Sequence, residues 1–287
     1  MDGILLVNKE KGLSSQAVLT KLKHILNETK IGHCGTLDPL ASGVLVVLLG
    51  SATKLSNFLL EKDKEYIAQI TIGKATSTYD GEGEVVESKK CVDLSSSQID
   101  EALKSFKGCQ LQTPPIYSAI KVDGKKLYQY ALENKDVEIK KRDIEIFSID
   151  RTSDIKIEDD TTIFSIKTCV SKGTYIRSLA FDIGKKLGYP SFMSDLTRTK
   201  SGKFAIEDSY SIEDIEKGNY KLISMVDSID IKKIEVKDEI YKKAINGAKI
   251  SFKDINSDDL IALIFDNNLV AIYEKTKECY KVVRVWN

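Results

Sequence analysis

The 287-residue sequence has little histidine, no Cys-x-x-Cys pair, no long apolar run and no net charge, and each shortage removes a class of function. Only His24 and His33 are present, and the five cysteines (Cys34, Cys91, Cys109, Cys169, Cys279) are scattered. A zinc site is therefore not expected, and the thiols read as free. No apolar stretch reaches membrane-spanning length. The opening run Ile4-Leu5-Leu6-Val7 is too short for a secretory signal, which predicts a cytoplasmic protein with no membrane association. Lysine plus arginine and aspartate plus glutamate balance at 43 each. A nucleic-acid surface must then come from local clustering of cations.

What is present suits a globular enzyme. The composition is 42% apolar and 30% charged. The length allows a large domain with a small one beside it. The chain is organised around Gly32-His33-Cys34-Gly35-Thr36-Leu37-Asp38-Pro39-Leu40-Ala41-Ser42-Gly43. Three glycines, one proline and small polar residues in these twelve positions read as a loop in the first half. Asp38 precedes Pro39 and so has a narrow backbone range. Val44 to Leu49 then reads as a buried strand. A carboxylate fixed on a tight loop beside a packed element is a candidate nucleophile, although an Asp-Pro dipeptide alone is usually a turn.

Along the chain, Ile4 to Val7 predicts a strand. Ser14 or Ser15 caps a helix with Val18, Leu19, Leu22, Ile25 and Leu26 on one face. Ser51 or Thr53 opens a second helix. Tyr66, Ala68, Ile70 and Ile72 alternate on one face of a strand. The loop Thr76 to Gly83 has spaced acids but no calcium-loop pattern, so no metal is assigned. Ser96 caps a helix that Gly108 stops, and Ile116 to Val122 predicts a strand followed by an Asp123-Gly124 turn. Lys121, Lys125 and Lys126 are interleaved with Tyr117, Tyr128 and Tyr130, which suits RNA backbone contact and base stacking, or an ordinary solvated helix start. Strands follow at Val137 to Ile149 and Thr162 to Val170. Tyr175 and Arg177 stand at a strand-to-helix junction, a usual place for site residues. Their plainer readings are core packing and a surface salt bridge. Leu196 to Phe204 reads as a basic loop whose Arg198, Lys200 and Lys203 suit phosphate contacts. From about Ile231 the pattern becomes a small β-rich unit with strands at Leu260 to Phe265, Leu269 to Glu274 and Cys279 to Trp286.

These features define an α+β enzyme-like domain with a loop carboxylate. The motifs carry the reading further. Gly32 to Leu45 with Gly50-Ser51-Ala52-Thr53-Lys54, then Lys64-Glu65-Tyr66, Gln112 to Lys121, Ser171 to Leu179 and Leu196-Thr197-Arg198 resemble, in order, the motifs of TruB-type pseudouridine synthases. These enzymes isomerise one uridine, uridine 55, in the T arm of transfer RNA. The resemblance covers residues 1–230. Residues 231–287 resemble, more weakly, the small RNA-binding PUA domain. The implied fold is a mixed, largely antiparallel central sheet flanked by helices, with a small C-terminal β-rich domain. One departure is Lys9-Glu10-Lys11-Gly12, where the family usually has Lys-Pro-x-Gly; the lost proline relaxes a turn.

By this resemblance Asp38 is the nucleophile. His33 fills the space left in the RNA when the uridine is flipped out. Tyr66 stacks on the uracil and takes part in handling the carbon-5 proton. Arg177 pairs with Asp38, and Tyr175 and Leu196 wall the pocket. The isomerisation needs no redox change, metal or cofactor. The expected partner is the tRNA T stem-loop, bound by a monomer with no obligate protein partner. Two other readings remain: a guide-RNA-dependent relative, and a non-catalytic tRNA-binding or folding protein. The absence of a longer basic tail after Trp286 argues against the first, and the presence of Asp38 argues against the second.

Overall fold

A computed structural model describes residues 1–255 and 260–286. Strand β1 (Gly3–Lys9) leads into helix α1 (Ser15–Leu26), whose Ser14 cap accepts from Ala17 N at 3.1 Å. Strands β2 (Ile31–Cys34) and β3 (Ser42–Leu49) follow, and a 3-10 turn at Gly50–Leu55 runs into α2 (Ser56–Leu60). Then come β4 (Lys64–Ile72), the hairpin β5 (Lys74–Thr76) and β6 (Val85–Ser88), α3 (Ser96–Lys104) and β7 (Gly108–Gln112). A separate hairpin, β8 (Lys121–Val122) and β9 (Lys125–Lys126), precedes α4 (Leu127–Leu132). Strands β10 (Arg142–Arg151), β11 (Lys156–Glu158) and β12 (Thr161–Val170) lead to α5 (Ile176–Leu187), β13 (Ser191–Ser201) and β14 (Phe204–Ala205).

The central sheet runs β1-β3-β13-β4-β12-β10-β7, with β2, β11 and β14 attached at its sides. All its pairings are antiparallel except β13 with β3. This is the mixed, largely antiparallel sheet expected. One face of its β4 side packs Tyr66, Ala68, Ile70 and Ile72 against Ile99 and Leu103 of α3 and Ile176, Leu179 and Ile183 of α5. Period-two alternation on β4 and helical spacing on α3 and α5 put apolar side chains on facing surfaces. Where β3 and β13 meet, Gly43 has φ +110, and a Cβ there would sit 2.2 Å from the carbonyl oxygen of Arg198. Only glycine allows that close approach.

After α6 (Ile212–Glu216) and α7 (Met225–Ser228), a second sheet forms from β15 (Lys232–Glu235), β16 (Leu260–Phe265), β17 (Asn268–Lys275) and β18 (Tyr280–Val285), with α8 (Asp238–Ile245) against it. Its Ala262, Ile264, Leu269 and Ile272, with Trp286, join the same apolar cluster as Val44, Val46, Leu55 and Leu59. Trp286 Nε1 donates to Ser51 O at 3.1 Å, and Lys54 Nζ donates to Val285 O at 2.9 Å. Among the described residues, no helix is long and apolar enough to cross a membrane.

Several local expectations change. Ile31–Cys34 is a strand within the stretch read as loop, because β3 offers it a free edge. Ile116–Ile120 lies outside any strand, and only Lys121–Val122 pairs. The cap of α3 is Ser95, and Gly108 opens β7 at φ +104 after the helix has already ended. Most consequentially, Leu196 to Ser201 belongs to β13, and Arg198 is 1% exposed. Its cation serves interior carbonyls and is not a solvated surface charge.

Candidate active site

A cleft of about 880 Å³ lies beside the sheet where β4, β13, the start of α5 and the Asp38 loop converge; Asp38, Tyr66, Tyr175, Arg177 and Leu196 all line it. The Asp38 loop is held from three sides. From α1, the buried Ser15 hydroxyl donates to Leu37 O at 2.9 Å and accepts from Leu37 N at 2.8 Å. From β13, Arg198 donates to Val44 O at 2.9 Å, Gly35 O at 3.0 Å and Thr36 O at 3.4 Å. From β1, the fully buried Lys9 donates to Leu13 O at 2.6 Å, Glu10 O at 2.9 Å and Pro39 O at 3.4 Å, while Gly12 N donates to Pro39 O at 2.8 Å. Buried cations here satisfy carbonyls that the irregular loop leaves unpaired. Burial lowers the Lys9 pKa, and the Asp38 charge opposes that shift.

Arg177 stands in the first turn of α5, and its guanidinium bridges two carboxylates. Nη2 lies 3.0 Å from Asp38 Oδ2, and Nη1 lies 3.5 Å from Asp80 Oδ2. The same group donates to Tyr117 O at 3.0 Å and Thr78 O at 3.2 Å. The Arg177 side chain is 7% exposed and that of Asp38 is 39% exposed, so the carboxylate is open to the cleft while its counter-ion is not. Such a pair orients the carboxylate towards the cleft. Asp80 is buried, and its carboxylate also accepts from the Thr78 hydroxyl and from Glu82 N at 3.1 Å. Burial, followed by the Asp80 and Asp38 charges, raises the pKa of Glu82 on the cleft wall.

Tyr66 lies on β4 opposite Thr168 of β12 and Arg198 of β13 and is 9% exposed. Tyr175 is the residue before α5. Gln112 fixes its backbone, donating to Tyr175 O at 3.0 Å and accepting from Tyr175 N at 2.8 Å. Burial pushes the Tyr175 hydroxyl pKa up. Lys64 also lines the cleft and donates to Leu60 O at 2.6 Å and to Lys62 O; burial, helped by the Arg198 charge, pushes its pKa down to about 8. His33 is placed differently. It sits on β2 opposite Val47, outside the cleft wall. Its Nδ1 is buried without a hydrogen-bond partner among the described residues, and burial lowers its pKa.

Sequence reading passed over Asp80, Ser15, Lys9 and the interior role of Arg198. Asp80 stood in an acid-spaced loop weighed only as a calcium site. Arg198 stood among cations, where solvation is the ordinary expectation. Among the described residues, no group of three or more His, Cys, Asp or Glu side chains could hold a metal ion.

A convergent cleft in which the open carboxylate of Asp38 is paired to a buried arginine is the arrangement of an enzyme site. The fold is that of the pseudouridine synthases. The protein in a solved structure titled "Crystal Structure of a Cbf5-Nop10-Gar1 Complex" superposes with a TM-score of 0.73 at 27% identity, over 99% of this chain and 84% of its own. A profile described as TruB family pseudouridylate synthase (N terminal domain) matches residues 23–176. A relative named tRNA pseudouridine synthase B from Staphylococcus saprophyticus is 44% identical over 293 residues, covering 96% of this chain and 95% of its own. One of the same name from Bacillus pumilus is 40% identical over 290 residues, covering 98% and 92%. The chain belongs to the TruB family of pseudouridylate synthases, which are isomerases.

Proposed function

We propose that the protein is a stand-alone tRNA pseudouridine synthase that flips out uridine 55 of the T loop and isomerises it with Asp38 as the nucleophile. The observation that carries this is the 3.0 Å pair between buried Arg177 and the open carboxylate of Asp38 at the floor of the cleft. The tRNA substrate is inferred from the names of relatives that cover nearly the whole chain. In the reaction the glycosidic carbon–nitrogen bond breaks, the uracil turns, and a carbon–carbon bond forms at carbon 5. A proton leaves carbon 5 and the former glycosidic nitrogen gains one. The carboxylate of Asp38 assists departure of the base and holds the sugar in a covalent intermediate. Arg177 holds and orients the Asp38 carboxylate. Tyr66 stacks on the extruded base, at a flipping cost of about a few kcal/mol, and shares in proton removal. Tyr175 and Leu196 close the pocket around the ring. His33, outside the pocket, fills the vacated position in the RNA arm. Residues 231–287 act as a PUA-like unit that adds RNA affinity to the catalytic residues 1–230. The enzyme acts as a cytoplasmic monomer without an obligate protein partner.

The test is conversion of uridine to pseudouridine in an unmodified T-arm stem-loop, with no guide RNA and no added protein. Product from the wild type and none from Asp38→Asn, at near-normal RNA binding, is the expected result. A requirement for guide RNA would overturn the stand-alone reading. Turnover by Asp38→Asn free of wild-type enzyme would remove Asp38 from the chemistry.

A further inference from the structure

We propose that Tyr79 and Phe181 are positioning residues, whose stacked rings hold the Asp80 loop against α5 and so set Arg177 against Asp38. This rests on the reading of Asp38 as the nucleophile.

The two rings stack with centroids 4.3 Å apart and planes 20° apart. Phe181 is one helical turn beyond Arg177 on α5, and Tyr79 immediately precedes Asp80. The loop and the helix are therefore tied twice, side by side. One tie is the ring stack. The other is polar: Arg177 to Asp80 at 3.5 Å and Arg177 to Thr78 O at 3.2 Å. Residues i and i+4 share a helix face, so both ties load the same side of α5.

Tyr79 occupies an unusual backbone for its type. Its φ is +62, in the left-handed region that glycine and asparagine take readily and bulky side chains rarely take. Strain of this kind persists where surroundings over-determine it, and it clusters at functional sites. Here the surroundings are the Phe181 ring, a bond from Tyr79 N to Thr76 O at 3.2 Å and a bond from Met193 N to Tyr79 O at 3.0 Å. Thr78 and Asp80 line the cleft while Tyr79 between them does not. The aromatic ring therefore serves the helix and leaves the substrate alone. A reversed backbone at position 79 presents its two neighbours to Arg177, and the stack holds that reversal in place.

The consequence falls on Arg177. Its guanidinium shares itself between Asp38 at 3.0 Å and Asp80 at 3.5 Å. If the loop relaxes, the Asp80 and Thr78 bonds go, and nothing on that side keeps the guanidinium square to Asp38. Neither Tyr79 nor Phe181 lines the cleft, so the loss is expected in the chemical step.

The experiment is single-turnover pseudouridine formation at saturating T-arm RNA, with RNA affinity and melting temperature measured alongside. Tyr79→Leu keeps a bulky side chain in the left-handed position but removes the stack. It is expected to slow the step roughly five- to tenfold, the scale of a single aromatic pair, at unchanged RNA affinity. Tyr79→Phe keeps the ring and restores the rate to within about twofold. Phe181→Leu breaks the same stack from the helix side and gives the same slowing. The double variant is expected to be no slower than either single variant, because one interaction is removed once. A wild-type rate in Tyr79→Leu, or additive slowing in the double variant, would overturn the proposal. Failure of the wild type itself to form pseudouridine would instead overturn the functional reading. If Tyr79→Leu does not fold, Phe181→Leu decides the question by the same rate and affinity measurements.

Discussion

The hydroxyl of Ser15 grips both backbone polar groups of Leu37, donating to the carbonyl at 2.9 Å and accepting from the amide at 2.8 Å, one residue before Asp38. Ser15 is 2% exposed, so water cannot replace either bond. Ser15→Ala is predicted to leave a buried amide and carbonyl unpaired, costing roughly 1–3 kcal/mol of stability. It is also predicted to slow single-turnover chemistry about ten- to hundredfold, because the attack proposed for Asp38 loses its geometry when the carboxylate is displaced by a fraction of an ångström. Urea unfolding reads the first effect and rapid quench reads the second. A stability loss with an unchanged rate would show that Lys9 and Arg198 alone aim the loop.

A pH dependence follows from Lys64. Burial lowers its pKa to about 8 in the folded protein, against 10.5 for the unperturbed group. The charged form is therefore disfavoured in the fold. The penalty is full below pH 8 and is relieved as pH rises towards 10.5, where the unfolded chain still holds the proton. Lys64→Met removes the titration. The wild type is predicted to gain stability relative to this variant between about pH 8 and about pH 9.5, on the order of 2 kcal/mol. Parallel unfolding curves for the two proteins would contradict the burial of a strained cation at this position.

Much of this architecture was legible because the periodicities were simple. The alternation of Tyr66, Ala68, Ile70 and Ile72 marked a half-covered strand, and β4 packs those residues against the helices. Cys279 to Trp286 and its two neighbouring strands were visible for the same reason. Ordered motifs marked Asp38, Tyr66, Tyr175, Arg177 and Leu196, and the fold gathers all five on one cleft. What escaped was decided by tertiary structure. Arg198 shares a face of β13 with Leu196, but a cation in a basic run reads as solvated until the carbonyls of Gly35, Thr36 and Val44 are seen around it. Asp80 acquires meaning only through Arg177. His33 was expected to meet the RNA arm and not the pocket, and its strand sets it outside the cleft wall.

The interior position of Arg198 changes the expected RNA footprint. Lys203 is paired with Asp230 at 3.0 Å and Lys125 with Glu133, which leaves Lys121, Lys126 and Lys200 as stronger candidates for binding phosphate. Lys126 also lies 5.6 Å from the Tyr128 ring, whose side chain lines the cleft. RNA binding should weaken linearly on a log–log salt plot. Substituting these three lysines by Gln is predicted to reduce the slope by about two to three, because each cation removed leaves one counter-ion on the RNA. Arg198→Lys should leave the slope unchanged and destabilise the fold instead. A slope insensitive to the triple substitution would place the RNA surface elsewhere.

Tyr66 separates stacking from proton handling. It belongs to the same apolar cluster as Ala68, Leu196 and Ile176 and lines the same cleft as Asp38, so both roles are within its reach. A ring on an extruded uracil contributes roughly 1–3 kcal/mol, which phenylalanine largely retains. A hydroxyl that takes part in removing the carbon-5 proton is missing in phenylalanine, at a cost of about 10²–10⁴-fold in rate. Tyr66→Phe is therefore predicted to bind RNA normally and to turn over very slowly. It should stall after the glycosidic bond has broken, with the rearranged base still protonated at carbon 5. Tritium placed at carbon 5 reports that step directly in a single turnover. Release within a fewfold of the wild type would show that the ring alone is needed, and that another base or water takes the proton.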